Sequence, residues 1–433
     1  MKNKEKLIDY GKDALIVLLL ISAVFLLLKA VLYQPQEVLG GLGAFLGSEP
    51  SGTITETGDS LVASAAAKPC YVLVTTEDGS HYAAKYDGAN KEKLLSQFSP
   101  YLGEALGSAS SLERITESGW ETVLGGSGVF FDYIYPQPLT AMASWLGTEL
   151  SGSAGEHMVR RLYLGGEKDV LYLYYIDESS MSVYRCATAL SLSSFSAKIA
   201  ELPMGSAHFA FEMGEEYESL DPYFILSDED CRLRAMSAAN PFKDGYSANE
   251  LLALFEMNSR TALPYPESDG SSVYVDSNKT LRIDSGGKLS FSVSEGVVIA
   301  IHGSRGELRI QDCVTRVNSL VQSSIGASCG EATVGLVGIS NTLDASNCTL
   351  YFGYFLDGLP VGLPGGAYAA RAQISNGSVT RVDMYYRGYT PLGETLMPLP
   401  EKQVCAIAAE RGGEPLLRYD DSVEGFSCSW VTN

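Results

Sequence analysis

The sequence predicts an α+β ectodomain of mostly antiparallel sheets with packed helices, carried behind a single N-terminal transmembrane helix. Three observations predict it. An apolar run from Ala14 to Tyr33 is broken by a single charge, Lys29. Beyond it, short apolar or alternating stretches flank Asp78-Gly79, Gly286-Gly287 and Asn376-Gly377, the residue pairs of tight antiparallel turns. Between these stretches lie segments whose apolar residues recur every three or four positions, the period of an amphipathic helix.

At about 1.5 Å per residue, a helix over 14–33 crosses the roughly 30 Å hydrocarbon core of a bilayer. Lys29 lies near the far end, where its stem carries the ammonium out to the interface. Lys2, Lys4, Lys6 and Lys12 precede the run and place the head, 1–13, in the cytoplasm. A cleaved signal peptide would have an apolar region of about 7–15 residues and a small-residue cleavage site. Here the run is longer and Tyr33, Gln34, Pro35, Gln36 and Glu37 follow it, so a retained anchor is expected. The expected location is the cell membrane, with the C-terminal ectodomain outside the cytoplasm. Leu19, Ala23, Leu26 and Ala30 fall on one stripe of the helix at the spacing of a left-handed helix pair, a candidate helix–helix contact.

Residues 34–68 are rich in glycine and alanine and read as a flexible stalk. A first α+β domain, 69–150, follows. Its strands are Tyr71–Thr75, His81–Tyr86 and Val129–Tyr135, with a helix over Asn90–Leu106 broken at Pro100 and a short helix through Trp145. The Gly/Ser-rich tract Gly147–Gly155 marks a boundary. A β-rich middle domain, 156–244, holds strands at Arg161–Leu164, Val170–Ile176, Ser182–Thr188 and His208–Met213, and a helix near Ser194–Leu202.

The C-terminal α+β region, 245–433, opens with a capping box, Ser247 three residues before Glu250. Strands follow at Ser272–Val275, Thr280–Ile283 and Lys288–Val293. Ile310, Cys313, Val317, Leu320 and Val321 then form the apolar stripe of a helix that ends with Gly326 as its C′ residue. A meander over Thr333–Tyr389 contains a hairpin about Asn376-Gly377. A last helix runs from Pro400 to Gly412, before strands near Leu416–Tyr419 and Ser427–Val431. Helix followed by antiparallel strands occurs twice after Ser247, the pattern of two related subdomains without a residue-level repeat.

The net charge of −21, from 52 acidic and 31 basic residues, excludes a nucleic-acid partner and a flat position on anionic lipid. Eight cysteines lie beyond the anchor, none in a CxxC pair, which argues against zinc and thioredoxin-like sites. Cys405/Cys428 and Cys329/Cys348 are candidate pairs in the last region, among the 105 full pairings that eight cysteines allow. Gly326-Ala327-Ser328-Cys329-Gly330 fits GxSxG, but a nucleophile elbow needs a strand before it, a helix after it and a downstream histidine. The last histidine is His302. His81, His157, His208 and His302 are dispersed and read as surface or core residues. The acidic clusters Glu212–Glu218 and Asp228–Asp230 lack the loop spacing of an EF-hand and read as a solvated face. No catalytic, cofactor or metal residues are expected, although a carboxylate pair for glycan hydrolysis is set by space and not by spacing.

The basic head, the spanning helix and the Tyr33-Gln34-Pro35 exit join four further stretches in a family resemblance. These are Phe131-Asp132-Tyr133-Ile134-Tyr135-Pro136 leading to Pro138-Leu139; Val273-Tyr274-Val275 with Thr280-Leu281-Arg282-Ile283; Tyr351-Phe352-Gly353-Tyr354 with Gly358-Leu359-Pro360-Val361; and Leu417-Arg418-Tyr419 with Ser429-Trp430-Val431. Together they resemble the YycH/YycI group, membrane-anchored regulators of a cell-wall sensor kinase in Gram-positive bacteria. The resemblance implies a non-enzymatic role without a cofactor. It also implies contact with a sensor histidine kinase through the spanning helix, and pairing with a second single-pass regulator of similar fold. The alternatives are a cell-envelope hydrolase acting on glycans and a passive envelope-binding or assembly module.

Overall fold

The structure, a computed structural model, describes residues 68–432 apart from 151–154, 156, 244, 297–298, 304–305, 343 and 423–424. The cytoplasmic head, the apolar run and the stalk up to 67 lie outside the described residues. Among the described residues, no helix is long and apolar enough to cross a membrane.

The first eleven elements in chain order are β1 (Tyr71–Thr75), β2 (His81–Ala84), α1 (Gly88–Ser108), β3 (Ser110–Ile115), α2 (Glu117–Leu124), β4 (Gly128–Pro138), α3 (Leu139–Trp145), β5 (Met158–Glu167), β6 (Val170–Asp177), β7 (Ser182–Ser191) and α4 (Leu192–Ile199). All seven strands join one antiparallel sheet in the order β2-β1-β4-β5-β6-β7-β3, so β4 pairs with β5 across the Gly/Ser-rich tract between them. β1 is buried along its whole length because β2 and β4 flank it. α1 turns Leu94, Leu95, Phe98, Leu102, Ala105 and Leu106 inward, and Phe98 meets Phe195 of α4 edge-on at 5.8 Å.

α1 departs from expectation in running unbroken through Pro100. Pro100 and Ser96, whose carbonyl loses its partner to the proline ring, are both exposed, so water can replace the missing bond. β3 and α2 carry patterns too mixed to be anticipated; both faces of β3 are largely exposed.

The middle segment is thin. β8 (His208–Phe209) pairs with β9 (Ile225–Leu226), and the expected strand over His208–Met213 gives way after Phe209 to a 3₁₀ turn. Glu212 anchors that turn by accepting from the Phe209 N–H at 2.9 Å. β10 (Leu233–Ala239) and α5 (Ala248–Leu254) follow, the latter capped by Ser247 accepting from the Glu250 N–H at 3.4 Å.

The remaining elements are β11 (Pro264–Pro266), β12 (Ser272–Asp276), β13 (Lys279–Ile283), β14 (Lys288–Val293), β15 (Ile299–Ala300), α6 (Ile310–Ser323), β16 (Thr333–Ser340), β17 (Thr349–Leu356), β18 (Leu359–Gly362), β19 (Ala370–Ser375), β20 (Ser378–Tyr385), β21 (Gly388–Leu396), α7 (Glu401–Arg411), β22 (Pro415–Ser422) and β23 (Gly425–Thr432). Twelve of the strands form a second sheet, antiparallel except where β18 runs parallel to β22. β21 leaves it to pair with β10. Both halves of the C-terminal region share this sheet through the β14–β20 pairing.

α6 buries Cys313, Val314, Val317, Leu320 and Val321 against the sheet, as its stripe requires. Its end differs from expectation. Ser324 caps the helix, and Gly326 does not take the left-handed conformation of a C′ glycine but begins a 3₁₀ turn through Ser328. The Ser324 hydroxyl donates to the Leu320 and Val321 carbonyls, satisfying groups that a glycine cap would otherwise satisfy.

Candidate interaction cleft

α1, β4, β10, β16 and the β17–β18 turn enclose a cleft of about 940 Å³ where the two large sheets meet. Its apolar floor comes from Leu95, Tyr133, Leu336 and Phe355. At its back, Lys91 projects from the buried face of α1. Its ammonium donates to the carbonyls of Cys70 at 2.7 Å, Lys85 at 3.0 Å and Asp357 at 2.5 Å, using all three protons. Burial pulls the Lys91 pKa down, against the attraction of the Glu229 and Asp357 carboxylates. Asp357 and Gly358 both have positive φ, the signature of a type I′ turn, and a Cβ on Gly358 would come within 2.6 Å of the Lys91 ammonium. Glycine there admits the lysine.

The rim is charged and internally paired. Arg234 on β10 forks onto Asp357 at 2.7 and 2.9 Å and reaches Glu331 at 3.2 Å. Lys68 meets Glu92, and Arg232 meets Asp230, each at 2.7 Å. Glu229 turns inward and accepts from the backbone N–H groups of Lys85, Tyr86 and Asp87 at 2.8, 3.2 and 2.5 Å. Exposed pairs of this kind hold weakly, about 0–1 kcal/mol each, and exchange readily for other partners. One buried group departs from the pattern. Gln137 donates through Nε2 to Tyr135 and Leu336 carbonyls, and its Oε1 meets no donor among the described residues. Burial pushes the Cys70 thiol on the cleft wall up to about 12, so it stays protonated and is a poor nucleophile.

Two buried ion clusters hold the walls in place. Lys85 and Glu401, 1% and 2% exposed, pair at 2.7 Å and tie the end of β2 to α7. Glu401 also accepts from the Ser227 N–H and the Tyr86 hydroxyl. Asp132 on β4 takes a two-pronged grip from Arg160 at 2.8 and 2.9 Å, and Arg160 passes on to Glu414 before β22. Burial alone would raise the Asp132 pKa; the Arg160 and Arg161 guanidiniums outweigh it and hold the carboxyl at about 2.

No protein-family model matches the chain, and no curated protein matches it in sequence. The fold does have a counterpart among solved structures. The crystal structure of YycH from Bacillus subtilis superposes with a TM-score of 0.56 over 86% of this chain and 94% of that chain, at 11% sequence identity. The chain has a YycH-like fold.

The stretches that carried the family resemblance take regular forms within this YycH-like fold. Phe131–Pro138 runs as β4 straight into α3, and the other three stretches are the hairpins β12–β13, β17–β18 and β22–β23. β17–β18 supplies the turn that Lys91 grips. Leu19, Ala23, Leu26 and Ala30 lie outside the described residues. Ser328 sits in the 3₁₀ turn between α6 and β16, donating to the Ile325 carbonyl at 3.3 Å, which is not the strand–turn–helix of a nucleophile elbow.

His81 is buried between Thr75, 2.9 Å from Nδ1, and Glu212, 3.0 Å from Nε2, and His157 lies against Tyr175 and stacks on Tyr184. Glu212 stays exposed on one side, with Glu215, Glu216 and Glu218 beside it on the solvated face expected of the cluster, while its carboxylate reaches inward to His81. Among the described residues no three His, Cys, Asp or Glu side chains converge as a metal site. Glu229, expected on a solvated face with Asp228 and Asp230, is half-buried between them on the N–H groups of 85–87. Lys91, Gln137 and Arg234 are not among the residues singled out in the sequence. Only Lys91 carried a local signal: it stands three and four positions before Leu94 and Leu95, on the apolar face of α1.

Proposed function

We propose that this protein is a membrane-anchored, extracytoplasmic regulator that modulates a sensor histidine kinase of cell-wall homeostasis through protein and transmembrane-helix contacts. The YycH-like fold over most of the chain carries this reading. The apolar run 14–33 behind four lysines supplies an anchor with the head in the cytoplasm. The proposed partners are the kinase and a second single-pass regulator of similar fold. The cleft suits a polypeptide segment of such a partner. It offers an apolar floor and rim charges that can exchange their partners.

Crosslinking in native membranes, followed by identification of the captured chains, tests the proposal. Recovery of a sensor kinase together with a second single-pass protein is the expected result. Turnover of wall fragments by the purified protein would replace it with the envelope-hydrolase reading, and crosslinks to wall polymer alone, without turnover, with a passive binding module. A membrane-impermeant protease added to wall-stripped cells should digest material beyond Glu37. Protection of that material would overturn the orientation.

A further inference from the structure

The eight cysteines are free thiols, and two of them stand together. Cys313 lies in the first turn of α6, and Cys348 ends the loop that joins β16 to β17. Cys313 Sγ is 3.2 Å from the Ala345 carbonyl oxygen and Cys348 Sγ is 3.8 Å from the same atom. The two thiols thus converge on one carbonyl oxygen from two separate elements. Both attachments are firm: α6 is packed along its length, and the Cys348 carbonyl accepts from the Ile374 N–H of β19 at 2.8 Å. Cys329, one of the neighbours in sequence, is engaged elsewhere, its thiol on the Gly326 and Ala332 carbonyls.

We propose that Cys313 and Cys348 are a disulfide-forming site, oxidised by thiol–disulfide exchange with a disulfide-bearing oxidant. Cys348, 3% exposed against 0% for Cys313 and next to the exposed Asn347, is the thiol an oxidant reaches first, so it makes the first attack as its thiolate. Cys348 Sγ attacks one sulfur of the oxidant's disulfide, forming a mixed disulfide and releasing the first oxidant thiolate, which takes up a proton. Cys313 then loses its proton, attacks Cys348 Sγ and expels the second. Two electrons pass from the protein thiols to the oxidant, whose disulfide becomes two thiols. Cys348 is 3% exposed, so oxidation proceeds during folding, before the packing of α6 closes over the thiols. The bond would staple α6 to the β16–β17 hairpin and close a loop of roughly 36 residues. A domain outside the cytoplasm meets oxidants of this class; the site itself does not depend on the regulatory reading.

The test uses the full-length chain in detergent, denatured and reduced, then refolded in a glutathione/oxidised-glutathione buffer, alkylated and mapped by mass spectrometry. The expected result is one linked peptide pair through 313 and 348, with two of the eight thiols lost to alkylation. The melting temperature should rise by about 3–5 °C on oxidation, a rise that Cys348→Ser abolishes. Full alkylation of both thiols after refolding in oxidised glutathione would overturn the proposal. So would a linkage that joins either to a different cysteine, or a fall in melting temperature on oxidation.

Discussion

Glu401→Gln tests the idea that one buried ion pair ties the first part of the fold to its last helix. The carboxylate lies 2.7 Å from the Lys85 ammonium. Once it is neutralised, Lys85 keeps the Ile225 carbonyl at 2.5 Å and three aromatic faces, Phe224, Tyr86 and Tyr71, at 4.3–5.2 Å. Those faces offset part of the loss, since a desolvated cation–π contact contributes about 2 kcal/mol at most. Glutamine still offers its oxygen to the Ser227 N–H, which bonds Oε1, and its amide nitrogen takes the place of Oε2, where the Tyr86 hydroxyl can turn to accept from it. Removing one partner of a buried pair costs about 3–5 kcal/mol, and the aromatic faces place this case near about 3 kcal/mol. Lys85→Met should cost a similar amount by stranding the carboxylate. The double variant should cost about 2 kcal/mol, less than either single change, leaving a coupling energy of about 4 kcal/mol. Urea titration followed by tryptophan fluorescence reads it out, with Trp430, 6.2 Å from Tyr86, as the local reporter. A cost below about 1 kcal/mol for Glu401→Gln, or a double variant equal to the sum of the singles, would refute the reasoning.

Three further predictions concern acid stability, Ser328 and the anchor. Asp132 titrates at about 2 when folded and near about 3.9 when unfolded. Its contribution, about 2 kcal/mol, is therefore whole above about pH 4 and lost as the pH falls towards 2. Asp132→Asn should lower stability at neutral pH and flatten that acid limb in denaturant titrations; an unchanged limb would assign it to other carboxylates. Ser328→Ala should leave stability within about 0.5 kcal/mol of the parent and every biological activity intact, whereas loss of activity in the folded variant would revive the hydrolase reading. Ala23→Leu should reduce co-purification of the kinase and alter transcription of its target genes without hindering insertion, with Val17→Leu as a quiet control. Equal kinase recovery and unchanged transcription would remove that face of the anchor from the proposed contact.

Much of the local structure was legible because it depends on neighbours in the chain. The alternation around Asn376-Gly377 specifies the β19–β20 hairpin, since a turn needing two positive φ values selects that pair. The stripe of α6 and the Ser247–Glu250 cap are likewise properties of a few consecutive residues. Local reading failed where a longer-range partner decided the outcome. Pro100 did not break α1, because packing of the opposite face outweighs one missing hydrogen bond. Gly326 did not cap α6, because Ser324 had already satisfied the carbonyls.

The sequence alone determined the apolar run, the acidic surface and the α+β succession of elements, each set by composition or by a period of two or 3.6 residues. Tertiary structure decided everything that depends on two distant segments meeting. It set Lys91 of α1 against the Asp357 carbonyl, Lys85 against Glu401, and Cys313 beside Cys348. In sequence, Lys91 and Glu401 read as ordinary charges in the first turn of a helix, where water is the expected partner. Their burial follows from the meeting of two sheets, and side-chain period carries no record of which distant strand that meeting brings alongside.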